Sequence, residues 1–287
     1  MISLIKRVLV IVVLFISFLY PQTDNTNIEK TSDKLINPLS DLWSLQFQNN
    51  FVFLEGKLTL GSDREANVFL FQPVTPVPLG DNWNIVNRTI FQVISTEVPE
   101  FDPGTRSFGW NRESGVGDLR LLQLVAPNRQ TGTFVGLGWN WVFPIAGSDN
   151  LGQGKWQVGP AVALATVSKT FAGGLLLQQA WSIGGDEDRA DISTSSLQYF
   201  LQYRLSKTFN LGMSPLITAD WKADSNERWQ VPIGFGFSTL VFIGKLPVKF
   251  GAEYQYYVVK PDSYGPKWAF LLNITPVIPN IFKDLDF

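Results

Sequence analysis

Hydrophobic and polar residues alternate one by one along much of the chain. In 247–258, Val248, Phe250, Ala252, Tyr254 and Tyr256 make one face, and Lys249, Gly251, Glu253, Gln255 and Tyr257 make the other. In 194–205, Leu197, Tyr199, Leu201, Tyr203 and Leu205 oppose Gln198, Phe200, Gln202 and Arg204. In 44–54, Leu45, Phe47, Phe51 and Phe53 oppose Gln46, Gln48 and Asn50, with Asn49 the exception on the apolar face. A period of two belongs to a strand. Turn residues (Gly, Pro, Asn, Asp) bound such segments and predict strands at 44–54, 66–76, 84–96, 117–125, 132–143, 156–166, 172–182, 194–205, 209–221, 229–241, 247–258 and 267–277. Strands 66–76, 84–96 and 172–182 alternate poorly, and no face is assigned to them.

The connections alternate in length. The long set is 55–65, 97–116, 144–155, 183–193, 222–228 and 259–266, and the short set is 77–83, 126–131, 167–171, 206–208 and 242–246. Long loops on one rim and tight turns on the other are the layout of outer-membrane barrels. The expectation is an all-β, antiparallel, up-and-down transmembrane barrel of about 12 strands, spanning 44–287, with both termini at the short-turn rim in the periplasm. A secreted β-sandwich has the same period and is the rival. The longest connection, Glu97–Val116, is expected to fold inward and gate the lumen.

The N-terminus changes the picture of where the chain works. Lys6 and Arg7 precede an apolar run from Val8 to Tyr20, which fits a signal peptide over 1–22, followed by a polar periplasmic tail over 23–43. An uncleaved anchor is the alternative reading. After Tyr20 no apolar run reaches helix-spanning length, and a lipid-spanning chain without such helices must close into a barrel.

Tryptophan placement agrees with a barrel. Trp139, Trp141, Trp156, Trp181, Trp221, Trp229 and Trp268 fall at strand ends beside long loops, and Trp43 and Trp83 at the opposite rim. These nine predict a girdle at the bilayer interface, where an indole is half wet. The polar face predicts a lumen lined by Gln46, Gln48, Asn50, Arg120, Asn140, Gln157, Gln198, Gln202, Arg204, Asp220, Lys249, Glu253, Gln255 and Asn273. The pairs Gly136/Gly138 and Gly234/Gly236 lie on that same face and leave room or let the wall curve.

Composition narrows the chemistry. The 287 residues include no Cys and no His, which removes zinc–thiolate sites, haem ligation and any His-based triad. A formal charge of −2 argues against a broad nucleic-acid surface. No cofactor, metal site or catalytic residue is expected. The acidic run Asp186, Glu187, Asp188 and Asp191 reads as a solvated loop, since it lacks a Gly-spaced ligand ladder. The lining mixes neutral amides with charges of both signs, which suits neutral or weakly polar solutes over a strongly ion-selective pore. The function expected is passive passage of small solutes, and a structural or adhesive barrel is the alternative. The partners expected are outer-membrane lipid, the barrel-assembly machinery of a Gram-negative bacterium, and the solute.

Several blocks resemble one family. They are Asn37-Pro38, Leu45-Gln46-Phe47-Gln48-Asn49-Asn50-Phe51, Gly80-Asp81-Asn82-Trp83-Asn84, Arg88-Thr89 and Ser114-Gly115-Val116-Gly117-Asp118. Others are Leu151-Gly152-Gln153-Gly154-Lys155-Trp156-Gln157-Val158-Gly159-Pro160, Trp229-Gln230-Val231-Pro232-Ile233, Ile243-Gly244-Lys245, Tyr256-Tyr257-Val258 and Gly265-Pro266-Lys267-Trp268. Together they resemble the predicted outer-membrane transporters named for the meta-cleavage pathway of phenol degradation. The resemblance implies a barrel that takes up small, aromatic compounds, and it supplies no substrate residues. Gln46 departs from the family pattern, where Pro is expected. Phe287 looks like the terminal aromatic read during barrel assembly, although Pro276, Pro279 and Lys283 interrupt the alternation before it.

Overall fold

The computed structural model describes residues 42–102, 104, 107–129, 131–244 and 246–280, with the side chains of 101, 102, 107 and 108 left aside. The signal peptide, nearly all of the N-terminal tail and the terminal aromatic fall outside the described residues. The strands are β1 (Trp43–Glu55), β2 (Arg64–Leu79), β3 (Trp83–Asp102), β4 (Ser107–Val116), β5 (Leu119–Pro127), β6 (Gly132–Phe143) and β7 (Lys155–Val167). They continue as β8 (Phe171–Gly185), β9 (Ser193–Arg204), β10 (Phe209–Met213), β11 (Leu216–Asp220), β12 (Trp229–Ile243), β13 (Leu246–Val259) and β14 (Gly265–Ile278). Every pairing is antiparallel between neighbours, and β1 pairs with β14, from Trp43↔Ile278 to Glu55↔Gly265. That pairing closes the sheet into a barrel. β4 with β5, and β10 with β11, each form one interrupted stave, so the 14 segments make a 12-strand barrel.

Two expectations are corrected. The segment Glu97–Val116 is not a gating loop. β3 runs on to Asp102, and β4 pairs with it from Val93↔Val116 to Asp102↔Ser107, so a hairpin continues the wall beyond the loop-end rim. Pro99 is tolerated there because it sits opposite Trp110 on a two-stranded extension. Secondly, 209–221 is not continuous. Pro215 has no N–H to donate, and the stave breaks at Ser214–Pro215. Across the break Tyr199 N still donates to the Pro215 carbonyl (3.2 Å), and the Tyr199 hydroxyl donates to the Pro232 carbonyl (3.0 Å).

The two faces of the wall differ as the alternation requires. The outward face is apolar and exposed, with Leu137, Ile233 and Phe235 among the least covered side chains. A monomer in water would bury such a band, whereas hydrocarbon solvates it. The inward face carries the buried residues. One apolar cluster joins Val86, Ala126, Phe134, Ala165, Val167 and Ala172, with Val74 and Phe200 packed against it. A second joins Leu122, Leu124, Ala161, Ala163 and Leu176. Both stand on the arc from β3 through β8, where inner side chains on neighbouring staves pack side by side.

Candidate functional site

The inner face holds a concentration of polar side chains, and register assigns its members. β9 residues Gln198, Gln202 and Arg204 pair with inner positions on β8 and β10. Arg120 and Asn140 lie opposite Val142 and Leu122 on the arc that carries the second apolar cluster. Asp220 pairs with Thr194 at the loop end, where its carboxylate accepts the Lys222 N–H (2.9 Å). Gln157 donates to Gln153 (2.7 Å), and Asn140 donates to the carbonyls of Gly159 (3.1 Å) and Gln179 (2.9 Å).

On β1 and its neighbours the amides form a ladder. Gln46 donates to Gln48 and to Asn273 (3.0 Å each), Gln48 donates to Asn50 (2.7 Å), and Gln72 donates to Gln48 (3.2 Å). Gln72 is 1% exposed, and its burial is tolerated because its amide group donates and accepts within this network. On β13, the Glu253 carboxylate accepts the Ser214 N–H (3.0 Å), the Ser214 hydroxyl (3.1 Å) and the Gln255 amide (2.8 Å). Glu253 thus ties the broken stave to a strand two places away. Lys249 reaches the Gln202 amide oxygen (3.4 Å) over the small inner positions Gly212 and Gly236.

Two members of this network, Gln72 and Arg88, escaped the sequence reading. Arg88 on β3 donates from Nη1 to Gln198 on β9 (2.9 Å) and from Nη2 to Gln72 on β2 (2.6 Å). β3 and β9 are five staves apart in one direction and seven in the other, so this bond is a chord across the barrel. The five-stave side holds both apolar clusters and is packed shut along them. Its polar members Arg120, Asn140 and Gln157 all sit toward the loop end of their strands. The seven-stave side carries the amide ladder, Lys249, Glu253 and Gln255. The chord therefore separates an apolar, filled half of the interior from a polar half. No signal in 84–96 marked Arg88, because that strand also places Asn87 and Thr89 on the opposite face.

The loop-end rim is tied together by charge. Glu97 pairs with Arg64 (3.2 Å) and Arg112 (2.9 Å), the Arg64 guanidinium lies over the Trp110 ring (4.5 Å), and the Tyr264 hydroxyl donates to the Glu97 carbonyl (2.8 Å). Glu55 pairs with Lys260 (3.0 Å) and Lys267 (2.7 Å). Asp262 pairs with Lys57 (2.9 Å), and this hydrogen bond holds its carboxyl below the usual aspartate value. That clasp is complete above the ordinary carboxylate range and is lost only as pH falls through the depressed value. Ser263 is held by the Glu227 carboxylate through its N–H (3.1 Å) and hydroxyl (2.7 Å). The connections after β1, β11 and β13 and the β3–β4 hairpin thus brace one another over part of the mouth.

A buried carboxylate anchors the long loop between β6 and β7. Asp118, 3% exposed, sits in the break between β4 and β5 and accepts the N–H groups of Gln153 (2.7 Å) and Ala146 (3.4 Å). Asp118→Ala leaves those donors without an acceptor, at about 1–3 kcal/mol. Limited proteolysis should then cut within 144–154 faster than in the parent while the strand signal is kept, and an unchanged cleavage rate would show that the loop holds itself.

Of the nine tryptophans expected at the interface, Trp83, Trp139, Trp156, Trp181, Trp221 and Trp229 are exposed. Trp43, Trp141 and Trp268 are half-covered, Trp268 by stacking on Phe53 with centroids 3.7 Å apart. Trp43 belongs to β1 and not to the tail, and its indole N–H donates to the Pro76 carbonyl (3.2 Å). Trp110 is in the β3–β4 hairpin.

Comparison with known proteins places the fold. No family model matches the chain, and no curated protein matches it. Among solved structures it is similar to an outer-membrane channel of Pseudomonas putida F1, at 16% identity and a TM-score of 0.58, over 83% of this chain and 94% of that one. It is also similar to the transport unit of the autotransporter AIDA-I from Escherichia coli, at 13% identity and a TM-score of 0.50, over 88% and 95% of the two chains. At these identities the likeness is one of fold: a closed antiparallel barrel of the outer-membrane type.

Proposed function

We propose that the chain is an outer-membrane channel for passive uptake of small, aromatic or weakly polar solutes, without chemistry of its own. The observation that carries this reading is the distribution of polarity on a closed wall, with an exposed apolar face outward and a connected amide face inward. Lipid solvates the first, exposed tryptophans mark its borders, and the second offers solutes weak, exchangeable hydrogen bonds. In this reading the termini face the periplasm, residues 1–22 direct export, and the barrel-assembly machinery inserts the chain. The phenol-pathway resemblance supports aromatic solutes. In this reading the polar half of the interior is the route, since its amides can exchange hydrogen bonds with a passing solute.

Flux into liposomes tests the proposal. Reconstituted protein should admit small neutral solutes faster than empty liposomes do. A correctly folded barrel, shown by intact strand signal and heat-modifiable migration, that passes nothing would overturn transport and support a structural barrel.

A further inference from the structure

The charges of the inner face are not balanced in the way the net charge suggests. Among the described residues, the ion pairs stand at the loop-end rim, on Glu55, Glu97, Asp63 and Asp262. The inner cations Arg88 and Lys249 have no carboxylate within ion-pair distance. Arg88 is held by two neutral amide oxygens, and Lys249 by one at 3.4 Å. Arg120, on the five-stave side, is exposed in spite of its place inside the wall, so water reaches the loop end of the interior. The inner acids are spent differently. Asp118, Asp220 and Glu253 each accept backbone N–H groups, which spread their negative charge into the fold. Arg88 and Lys249 therefore face the polar half with amide oxygens as their hydrogen-bond partners.

An uncompensated cation inside a protein is costly, and its attraction for an anion grows as the local dielectric falls. An amide oxygen is a weak partner for a guanidinium. A carboxylate adds a full opposite charge, and its planar pair of oxygens matches the guanidinium fork. We propose that the polar half of the lumen binds small organic carboxylates. The anion takes the place of Gln198 on Arg88 and so releases the chord, and Lys249 offers a second station. Gln198 and Gln202, which occupy the two cations at rest, lie four residues apart on the same face of β9 and so about 13 Å from each other. Two anion stations joined by displaceable amides let a solute bind, exchange and leave. This inference rests on the channel reading and narrows its solute class: the weakly polar, aromatic solutes proposed above become aromatic acids and their like.

The test uses the full barrel in planar bilayers and in liposomes. With a potassium chloride gradient, the permeability ratio should favour chloride, by roughly threefold or more for unpaired fixed charges in a narrow lumen. Benzoate should enter liposomes faster than benzyl alcohol and much faster than benzylammonium, after correction for leakage through lipid alone. Lys249→Gln should lower the anion preference while conductance persists. Conducting barrels with a permeability ratio at or below one, and equal entry of the three aromatic probes, would overturn carboxylate recognition and leave the channel reading standing. Barrels that do not conduct at all would overturn the channel reading, and the inference with it. If Lys249→Gln does not fold, the wild-type ratio and the three-probe comparison decide alone.

Discussion

Arg88→Ala is expected to raise single-channel conductance by roughly a factor of two or more, because a side chain that spans the interior becomes a methyl group. The argument follows from the chord. Its two bonds, 2.9 Å to Gln198 and 2.6 Å to Gln72, tie β3 to β9 and to β2. Without the guanidinium, Gln198 loses its donor, whereas Gln72 keeps its bond to Gln48. The loss costs about 1–3 kcal/mol of stability, tolerable for a closed wall. Val86, two residues away on the same face, stays in its apolar cluster, so the filled half remains filled and the gain in area falls on the polar side. Arg88→Lys separates size from charge. It keeps the cation on a narrower ammonium without the planar fork, so conductance should rise less and the anion preference should survive. An unchanged conductance in Arg88→Ala barrels of normal migration would mean that the narrowest point lies elsewhere.

The same chord explains which parts of the wall were legible in the sequence. β9 and β13 alternate cleanly because their inner faces meet the polar half, where Gln198, Gln202, Lys249, Glu253 and Gln255 are solvated or bonded. β8 alternates poorly because its inner face, Ala172 and Leu176, is as apolar as its outer one. β3 fails for a second reason as well. Its outer face carries Asn87, whose polarity is satisfied locally by Gln123 (2.9 Å) and the Thr75 carbonyl (3.2 Å). Alternation reports an interface between water and grease, and it fades where grease stands on both sides. The β3–β4 hairpin was invisible for the opposite reason: beyond the rim both of its faces are wet, so Glu97, Glu100, Arg112 and Glu113 read as loop. Arg88 lay in a strand with no assigned face. Its role depends on a partner 110 positions away, and no local pattern carries that information.

Gly159→Val is expected to abolish barrel formation. A Cβ built on Gly159 would fall inside the carbonyl oxygen of Gln179 on β8, with Ala180 Cα also within 3.2 Å. Gly138 on β6 has the same relation to the carbonyl of Gln123 on β5. Beside them Asn140 donates to the carbonyls of Gly159 and Gln179, so β6, β7 and β8 are drawn together around Gly159, whose inner position has no side chain. The wall bends there, and backbone fills the space that Cβ atoms occupy elsewhere. The obstacle is a main-chain oxygen, bonded to the Asn140 amide, which cannot swing aside as a side chain would. Overpacking a core costs about 1–3 kcal/mol when neighbours can shift, and more when they cannot. Here the shift required would break the β7–β8 register at a point flanked by Val158↔Trp181 and Ala161↔Gln178. Heat-modifiable migration should be lost and the chain should accumulate unfolded or be degraded, whereas Gly80→Ala, in a turn with open space around the glycine, should fold with only the penalty of its φ of 65°. Folded Gly159→Val barrels with normal stability would show that the wall takes up the methyl groups by local sliding, and that the close approach does not set its curvature.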